Sequence, residues 1–276
     1  SSNNGKRSLY FMVIDVITYN GEKDLFDIRY NVLKDYVDEF IVVEFDKTFS
    51  GKDKPYYFEE IKGKYEKIRF CPMVEEDYEK YHEEACESPN TEYGRGAEHW
   101  IREFCQKESI KDCLTHLKDE DIVFIGDCDE VWSIDGIPAQ MMYGDHNLGG
   151  VWKLQLKVYT YWLNNRSSEK FWGTIVGHYQ DIKHEVLNHL RVNARKLDNY
   201  NGWHFTSMGG VDGVKKKLLD SYTKETYATD EVINNLEDSI VKQRDFLGRG
   251  FTYTVDESEW PQYLKDNKER YKHLCI

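Results

Sequence analysis

The chain has 276 residues, a formal net charge of −13 and a pI near 5.2, and 40% of its residues are hydrophobic. The charge argues against a general affinity for nucleic acid or for an anionic membrane surface. The length suits one large domain or two small ones. Because no apolar stretch is long enough to cross a bilayer, no membrane insertion by this chain is expected.

Residues 1–8 are polar and lack the apolar core of a signal peptide. We predict a disordered N-terminal segment over residues 1–8 and a single domain over residues 9–276. Such a start fits a cloning remnant or the remainder of a removed membrane anchor. A microbial or viral protein would be cytoplasmic, whereas a truncated type II membrane protein would lie in the Golgi lumen.

The first elements in chain order alternate between strand and helix. Leu9 to Tyr19 is rich in Ile, Val, Phe and Tyr and predicts a buried strand. Apolar residues at helical spacing predict a helix over Asp24 to Tyr36. Phe40 to Glu44 and Ile68 to Phe70 predict two further strands. This order favours an α/β sheet with parallel members.

The middle of the chain continues with the same kinds of element. Glu75 to Arg95 is polar and charged and reads as a loop. Helical spacing returns over Glu98 to Leu117. Val151 to Trp162 alternates between faces, which predicts a half-buried strand of antiparallel type, and a helix is expected over Lys215 to Tyr222. No internal repeat and no clear linker interrupt the chain, so one domain is expected.

The six cysteines contain no C-x-x-C pair. A zinc site is therefore not expected, and their spacing shows no disulfide framework. Reduced thiols are the expectation for a chain of this size.

The most informative motif is Asp127-Cys128-Asp129-Glu130, which follows an apolar run of strand type. Two aspartates one residue apart, at the end of a buried strand, can face one divalent cation. Hard cations such as Mg²⁺ and Mn²⁺ prefer carboxylate oxygens and leave positions free for phosphate. A cation that neutralises a leaving diphosphate is what sugar transfer from a nucleotide sugar requires. An acidic turn after a strand is the alternative interpretation.

Other segments match one protein family in the same order over nearly the whole chain. They are Asn20 to Arg29, Val37-Asp38-Glu39-Phe40, Thr48-Phe49-Ser50-Gly51, Trp100 to Lys107, the D-x-D-E, Gly202-Trp203-His204, and Pro261 to Tyr271. Together they resemble glycosyltransferase family 17, the β-1,4-mannosyl-glycoprotein 4-β-N-acetylglucosaminyltransferase-like family. Phe45 and Val131-Trp132 depart from the family pattern beside the expected site, which leaves donor and acceptor choice open.

The resemblance implies an α/β fold of the GT-A type: a single Rossmann-like mixed sheet flanked by helices. It implies inverting transfer of a sugar, GlcNAc from UDP-GlcNAc, to a hydroxyl of a glycan acceptor. The expected cofactor is Mn²⁺, with Mg²⁺ as the alternative. The expected partners are therefore a UDP-sugar donor and a glycan acceptor.

The resemblance also places residues at the site, since ligands of open α/β sheets lie beyond the carboxyl ends of the strands. An imidazole ligand would favour Mn²⁺ over Mg²⁺, although a buried structural histidine is the alternative role for His204. The predicted metal ligands are Asp127, Asp129 and His204, and the predicted donor-binding residues are Thr18, Asn20, Glu22, Glu44, Lys107, Asp127 and Lys217.

An inverting transfer needs one general base at the acceptor hydroxyl. Asp212 and Glu225 flank the basic segment after Gly202-Trp203-His204 and are the predicted catalytic residues. Glu185 remains a third candidate. Arg29 is instead expected to form a structural ion pair with a neighbouring carboxylate.

Two other functions remain compatible with the sequence. A metal-dependent phosphotransferase or phosphatase could use the same Asp-x-Asp pair, although such enzymes usually place it near the N-terminus. A non-catalytic sugar-binding protein with a decayed metal site is the second alternative. The intact set of Asp127, Asp129 and His204 argues against it.

Overall fold

The computed structural model describes most of the chain. The predicted disordered segment 1–8 and the candidate base Glu225 both lie outside the described residues. Those residues are 11–88, 98–135, 137, 149–222 and 226–276.

A mixed sheet forms the centre of the fold. Its strands, within the described residues, are β1 (Val13–Thr18), β2 (Glu39–Phe45), β3 (Ile68–Met73), β4 (Ile122–Asp127), β5 (Glu130–Trp132), β6 (Trp152–Thr160), β7 (Asn165–His178), β8 (Arg195–Thr206) and β9 (Tyr253–Val255). The order is β3-β2-β1-β4-β7-β6-β8-β5, with β9 beside β7. The first four strands run parallel to one another. The sheet turns antiparallel where β7 pairs with β4.

Helices flank this sheet, and most of them are short. They are α1 (Lys23–Leu33), α2 (Glu75–Tyr78), α3 (His82–Glu87), α4 (Glu98–Ser109), α5 (Tyr179–Ile182), α6 (Leu187–Asn193), α7 (Gly210–Ser221), α8 (Asp230–Asn234), α9 (Leu236–Val241) and α10 (Gln262–Asp266). No helix in the described part of the chain is both long enough and apolar enough to cross a membrane.

Successive residues of β1 point to opposite faces of the sheet, so the strand contributes to two apolar clusters. Val16 packs in the cluster that includes Phe104 of α4 and Leu187 of α6. Ile17 packs in the cluster that includes Phe26 of α1. Both faces of the parallel half are therefore covered, as parallel sheets require.

The predicted α/β fold with a mixed sheet is confirmed, and the differences from prediction concern individual elements. The segment predicted as a loop from Glu75 to Arg95 contains α2 and α3 in its described part, so that prediction is wrong there. The helix predicted to reach Leu117 ends at Ser109 and continues only as a short 3-10 turn. The strand predicted as antiparallel, β6, pairs antiparallel with β7 but parallel with β8.

The expectation of reduced thiols is wrong for one pair of cysteines. Cys71 of β3 forms a disulfide with Cys113, which lies in the 3-10 turn after α4. Their Cα atoms are 6.4 Å apart, within the range that a disulfide spans. The two cysteines are 42 residues apart in sequence, so only the packing of the turn beside the edge strand shows that they meet.

Candidate active site

The parallel register brings the ends of three strands together at the D-x-D-E segment. Thr18, the last residue of β1, lies opposite Asp127 of β4 and, on its other side, opposite Val43 of β2. A tight turn then leads from β4 into β5, which pairs with β8 so that Glu130 lies opposite His204. Of the three predicted metal ligands, Asp127 ends the strand before this turn, and His204 lies on the strand that pairs with β5.

Gly126 allows a close approach just before the turn. A Cβ atom at this position would lie 2.4 Å from Thr174 Oγ1 and 2.7 Å from Glu130 Oε2. Those two atoms are hydrogen-bonded to each other at 2.9 Å. A larger residue would therefore push Glu130 away from β4.

Asp127 is held by one neighbour at each carboxylate oxygen. Thr18 Oγ1 donates to Oδ1 at 3.2 Å, and Arg191 Nη2 donates to Oδ2 at 2.9 Å. Desolvation by itself raises the pKa of Asp127. The charges of Arg191 and Lys107 outweigh it, so the pKa of Asp127 lies below its usual range. The carboxylate is therefore charged at neutral pH and remains about a third exposed, at 35%.

Asp129 faces a second group of basic side chains. His204 Nε2 lies 3.4 Å from Asp129 Oδ1, and Lys217 Nζ lies 3.4 Å from Oδ2. Lys217 also donates to Thr206 Oγ1 at 2.7 Å. Desolvation raises the pKa of Asp129, but the charges of His204 and Lys217 overcome it and lower the pKa well below its usual range. Three predicted site residues thus meet at one point.

The loop after β1 brings together the predicted donor-binding residues Asn20 and Glu22. The Asn20 backbone N–H donates to Glu22 Oε2 at 2.6 Å, and Asn20 Nδ2 donates to Asp220 Oδ2 at 3.1 Å. The remaining polar atom, Asn20 Oδ1, is buried and accepts no hydrogen bond from the described residues. An acceptor without a protein partner is suited to a ligand N–H.

Glu44 was predicted to contact the donor, but the structure gives its carboxylate other partners. Oε1 accepts from Lys54 Nζ and from the Tyr57 backbone N–H, both at 2.8 Å, and Oε2 accepts from the Phe58 N–H at 2.8 Å. The residue is fully buried. These contacts anchor the segment after β2, and a donor contact of Glu44 remains a prediction.

Lys107 and Arg191 line a small cleft beside Asp127. Lys107 Nζ lies 2.6 Å from Glu103 Oε1 on the same helix. Four aliphatic side chains, Ile110, Ile125, Ile175 and Leu187, form much of the remaining wall. The cleft is lined by Lys107, Asp127, Asn188, Arg191, Gly126, Ile110, Ile125, Ile175 and Leu187.

Sequence reasoning missed Arg191 because no motif surrounds it. The residue lies on a short helix, 64 positions after Asp127 in the chain. A periodic pattern shows which face of a helix is buried, but it does not show which distant carboxylate an arginine on the opposite face will reach. No local signal would have found this contact.

The structure does not bring the two described candidate bases, Asp212 and Glu185, to the same point. Asp212 is exposed in the first turn of α7, five residues before Lys217. Five residues correspond to a rotation of about 140° around a helix, so Asp212 lies on a different side of α7 from Lys217. Glu185 is also exposed. The base remains a prediction.

The chemistry of the donor set fits a divalent cation, because two carboxylates and an imidazole are ligands that Mn²⁺ accepts. Asp129 Oδ1 and His204 Nε2, 3.4 Å apart, are close enough to share one ion. The third predicted ligand, Asp127, is paired with Arg191 instead. In the described part of the chain, no three His, Cys, Asp or Glu side chains converge as a complete cation site.

A mixed α/β sheet with a D-x-D-E at the carboxyl end of β4, a histidine beside it and a basic helix nearby is compatible with one class of protein, the glycosyltransferases. The sequence profile of glycosyltransferase family 17 matches residues 3–209. The chain therefore belongs to glycosyltransferase family 17. This membership separates it from the phosphotransferase and sugar-binding alternatives.

The chain is also similar to individual known proteins. The human β-1,4-mannosyl-glycoprotein 4-β-N-acetylglucosaminyltransferase is 24% identical over 95% of this chain and 54% of its own length. The chain thus spans about half the length of this relative. Among solved structures, 4-diphosphocytidyl-2C-methyl-D-erythritol synthase matches 68% of this chain and 89% of its own with 8% identity and a TM-score of 0.39. Mouse xyloside xylosyltransferase 1 matches 65% and 71%, with 7% identity and a TM-score of 0.36.

Proposed function

We propose that this protein is an inverting, metal-dependent glycosyltransferase that moves GlcNAc from UDP-GlcNAc to a hydroxyl of a glycan acceptor. The observation that carries the proposal is the meeting of Asp129, His204 and Lys217 at the end of β4. Carboxylate and imidazole can bind a cation there, and the lysine can pair with phosphate. The donor sugar is supported by the name of the human relative.

The nucleotide would lie over the carboxyl ends of β1 and β4. Asn20 Oδ1 is free to accept the N–H of a uracil ring, because Asn20 Nδ2 and the Asn20 backbone N–H already have protein partners. Thr18 Oγ1 orients Asp127 from the neighbouring strand. We therefore assign uridine recognition to the loop from Thr18 to Glu22.

The diphosphate would lie between Asp129 and α7. Asp129, His204 and Asp127 are the residues that would hold Mn²⁺, which when bound would withdraw negative charge from the leaving diphosphate. Lys217 would pair with the same diphosphate as a point charge. Lys107 would do so from the opposite side of Asp127, in the cleft next to the donor.

Inversion follows from a single displacement at the anomeric carbon. The acceptor oxygen forms the new bond to that carbon while the bond to the phosphate oxygen breaks, and a carboxylate takes the acceptor proton. Asp212 and Glu225 are the proposed alternatives for this base. If either is the base, Asp212→Asn or Glu225→Gln will lower kcat sharply and leave UDP affinity intact.

Calorimetric titration with UDP tests the proposal directly. UDP is expected to bind in the presence of Mn²⁺ and to bind much more weakly when a chelator removes the cation. A screen of UDP-sugars that follows UDP release then identifies the donor, and UDP-GlcNAc is expected to be turned over fastest. Absence of UDP binding with Mn²⁺ present would refute the proposed function.

A further inference from the structure

Arg191 contacts two carboxylates of the D-x-D-E segment with a single nitrogen. Its Nη2 lies 2.9 Å from Asp127 Oδ2 and 2.5 Å from Glu130 Oε1. The guanidinium carries five N–H donors, and its Nε and Nη1 make no hydrogen bond with the described residues. Arg191 therefore reaches the site with unused donors, and its side chain is 27% exposed.

The backbone beneath Arg191 is fixed at both ends of α6. At the start, the buried Glu108 accepts from the backbone N–H groups of Leu187 and Asn188 at 3.0 and 3.3 Å. At the end, Lys153 Nζ donates to the Val192 carbonyl at 2.6 Å. Any rearrangement at this position is thus confined to the arginine side chain.

A divalent cation and Arg191 would compete for the same carboxylate. Thr18 donates to Asp127 Oδ1, and Arg191 donates to Oδ2. A cation bound to either oxygen would lie close to the guanidinium. Two positive charges repel each other strongly at such close range, so a cation at Asp127 weakens the hold of that carboxylate on the guanidinium.

Glu130 would keep the displaced guanidinium near the site. Glu130 is fully buried, and its second oxygen is fixed by Thr174 at 2.9 Å. Arg191 can therefore leave Asp127 while its contact with Glu130 Oε1 remains. Its Nε and Nη1 have no partner among the described residues, and an N–H donor of a charged guanidinium suits a phosphate oxygen.

We propose that Arg191 is an exchangeable counter-ion: it holds Asp127 until a divalent cation binds that carboxylate, and it then pairs with the diphosphate of the donor. This inference rests on the proposed nucleotide-diphosphate site. It predicts opposite effects on two ligands, which a purely structural ion pair would not produce.

Isothermal titration of the whole chain with MnCl₂ alone, and then with UDP at saturating Mn²⁺, tests the inference. Arg191→Met keeps the length of the side chain but removes its charge. The variant is expected to bind Mn²⁺ about tenfold more tightly, because the competing charge has gone. It is expected to bind UDP about tenfold more weakly, because a partner of the diphosphate has gone.

Two further variants control this experiment. Arg69→Met removes an exposed arginine that pairs with Glu39, and it should change neither affinity. Arg191→Met also leaves Glu130 buried without its cation, which can prevent folding. The double variant Arg191→Met/Glu130→Gln removes that stranded charge and should show the same opposite shifts.

The outcomes separate this inference from the proposed function. Wild-type protein that binds neither Mn²⁺ nor UDP contradicts the proposed function itself. Suppose instead that wild-type protein binds both ligands. The counter-ion role is then overturned if Arg191→Met and the double variant bind Mn²⁺ no more tightly than wild-type protein does. An unchanged affinity for UDP in both variants overturns the diphosphate contact.

Discussion

Two arginines contact the D-x-D-E segment from opposite faces of the sheet. Arg29 of α1 is fully buried, forms a bidentate pair with the buried Asp15 at 2.7 Å, and donates to the backbone carbonyls of Asp127 and Glu130. Arg191 of α6 is 27% exposed and binds the side chains of the same two residues. Arg29 fixes the shape of the turn, whereas Arg191 competes for its carboxylates.

Burial and the type of acceptor account for this difference. A buried charge that loses its partner cannot be solvated, so a pair such as Arg29–Asp15 is costly to break. A partly exposed pair is stabilised by only a small amount and can exchange with water or with a ligand. The expected ion pair at Arg29 is confirmed. Both of its side chains are fully buried, so the pair cannot exchange with solvent or with a ligand.

The largest effect is expected where the buried arginine is removed. Arg29→Met should lower the free energy of unfolding by about 3–5 kcal/mol, because Asp15 is left charged and without its cation. Urea unfolding followed by circular dichroism measures this change. Arg69→Met, which removes an exposed partner of Glu39, is the control and should cost less than about 1 kcal/mol. Similar losses in the two variants would contradict the assignment.

The next effect concerns function at the edge of the sheet. Asp129→Asn should weaken UDP binding in the presence of Mn²⁺ by about a hundredfold or more, because a direct ligand of the cation is lost. Calorimetry measures the affinity, and a UDP-release assay should show loss of turnover. Asp119→Asn, at a surface aspartate that pairs with Lys183, should leave both unchanged. Normal turnover by Asp129→Asn would remove the metal role.

A smaller effect is expected in the pH dependence of stability. Desolvation raises the pKa of Glu22 to about 7. The hydrogen bond from the Asn20 backbone lowers this pKa, and the charge of Asp129 raises it. Because this pKa lies above the value of 4.5 in an unfolded chain, the folded state binds more protons between these pH values. Stability therefore falls as the pH rises from 4.5 to 7.

Glu22→Gln removes this titration and tests the sign. Relative to the variant, wild-type protein should lose about 2 kcal/mol of unfolding free energy between pH 4.5 and pH 7.5. Urea unfolding of both proteins at several pH values measures the difference. A difference that stays constant, or that changes in favour of wild-type protein as the pH rises, would exclude the raised pKa.

The smallest effect is expected on α7. Lys217→Met should weaken UDP binding about tenfold, because one positive charge beside the diphosphate is lost. Lys215→Met, two residues earlier and exposed, is the matched control and should change the affinity little. Equal effects of the two substitutions would show that the helix acts through its overall charge rather than through the contact of Lys217 with Asp129.

Much of the fold could be predicted from local pattern. The buried strands β1, β2 and β4 are short apolar runs, and α1 has apolar residues at helical spacing. The existence and order of these elements could therefore be predicted from the sequence. The disulfide between Cys71 and Cys113 could not be predicted, because it depends on packing between elements that are distant in sequence. The described part of 75–95 was misread because polar helices on a surface have the composition of loops.

The site divides in the same way. Asp127, Asp129 and His204 were predicted as metal ligands from motifs, because a strand end followed by carboxylates has a chemical meaning by itself, and the structure places Asp129 beside His204. Glu44 is the next-to-last residue of β2, yet three protein donors already contact its carboxylate. Arg191 belongs to no motif, yet it binds Asp127. Sequence shows which groups can bind charge, but it does not show which of them already have partners.

The sequence by itself determined the family, the α/β order of elements and the acidic pair at the end of β4, because these follow from residue type and local spacing. Tertiary structure alone decided that Arg29 forms a buried structural ion pair and that Arg191 forms a partly exposed one, which a ligand could replace. The physical reason is that burial sets the cost of separating two charges, and burial depends on how distant parts of the chain pack together.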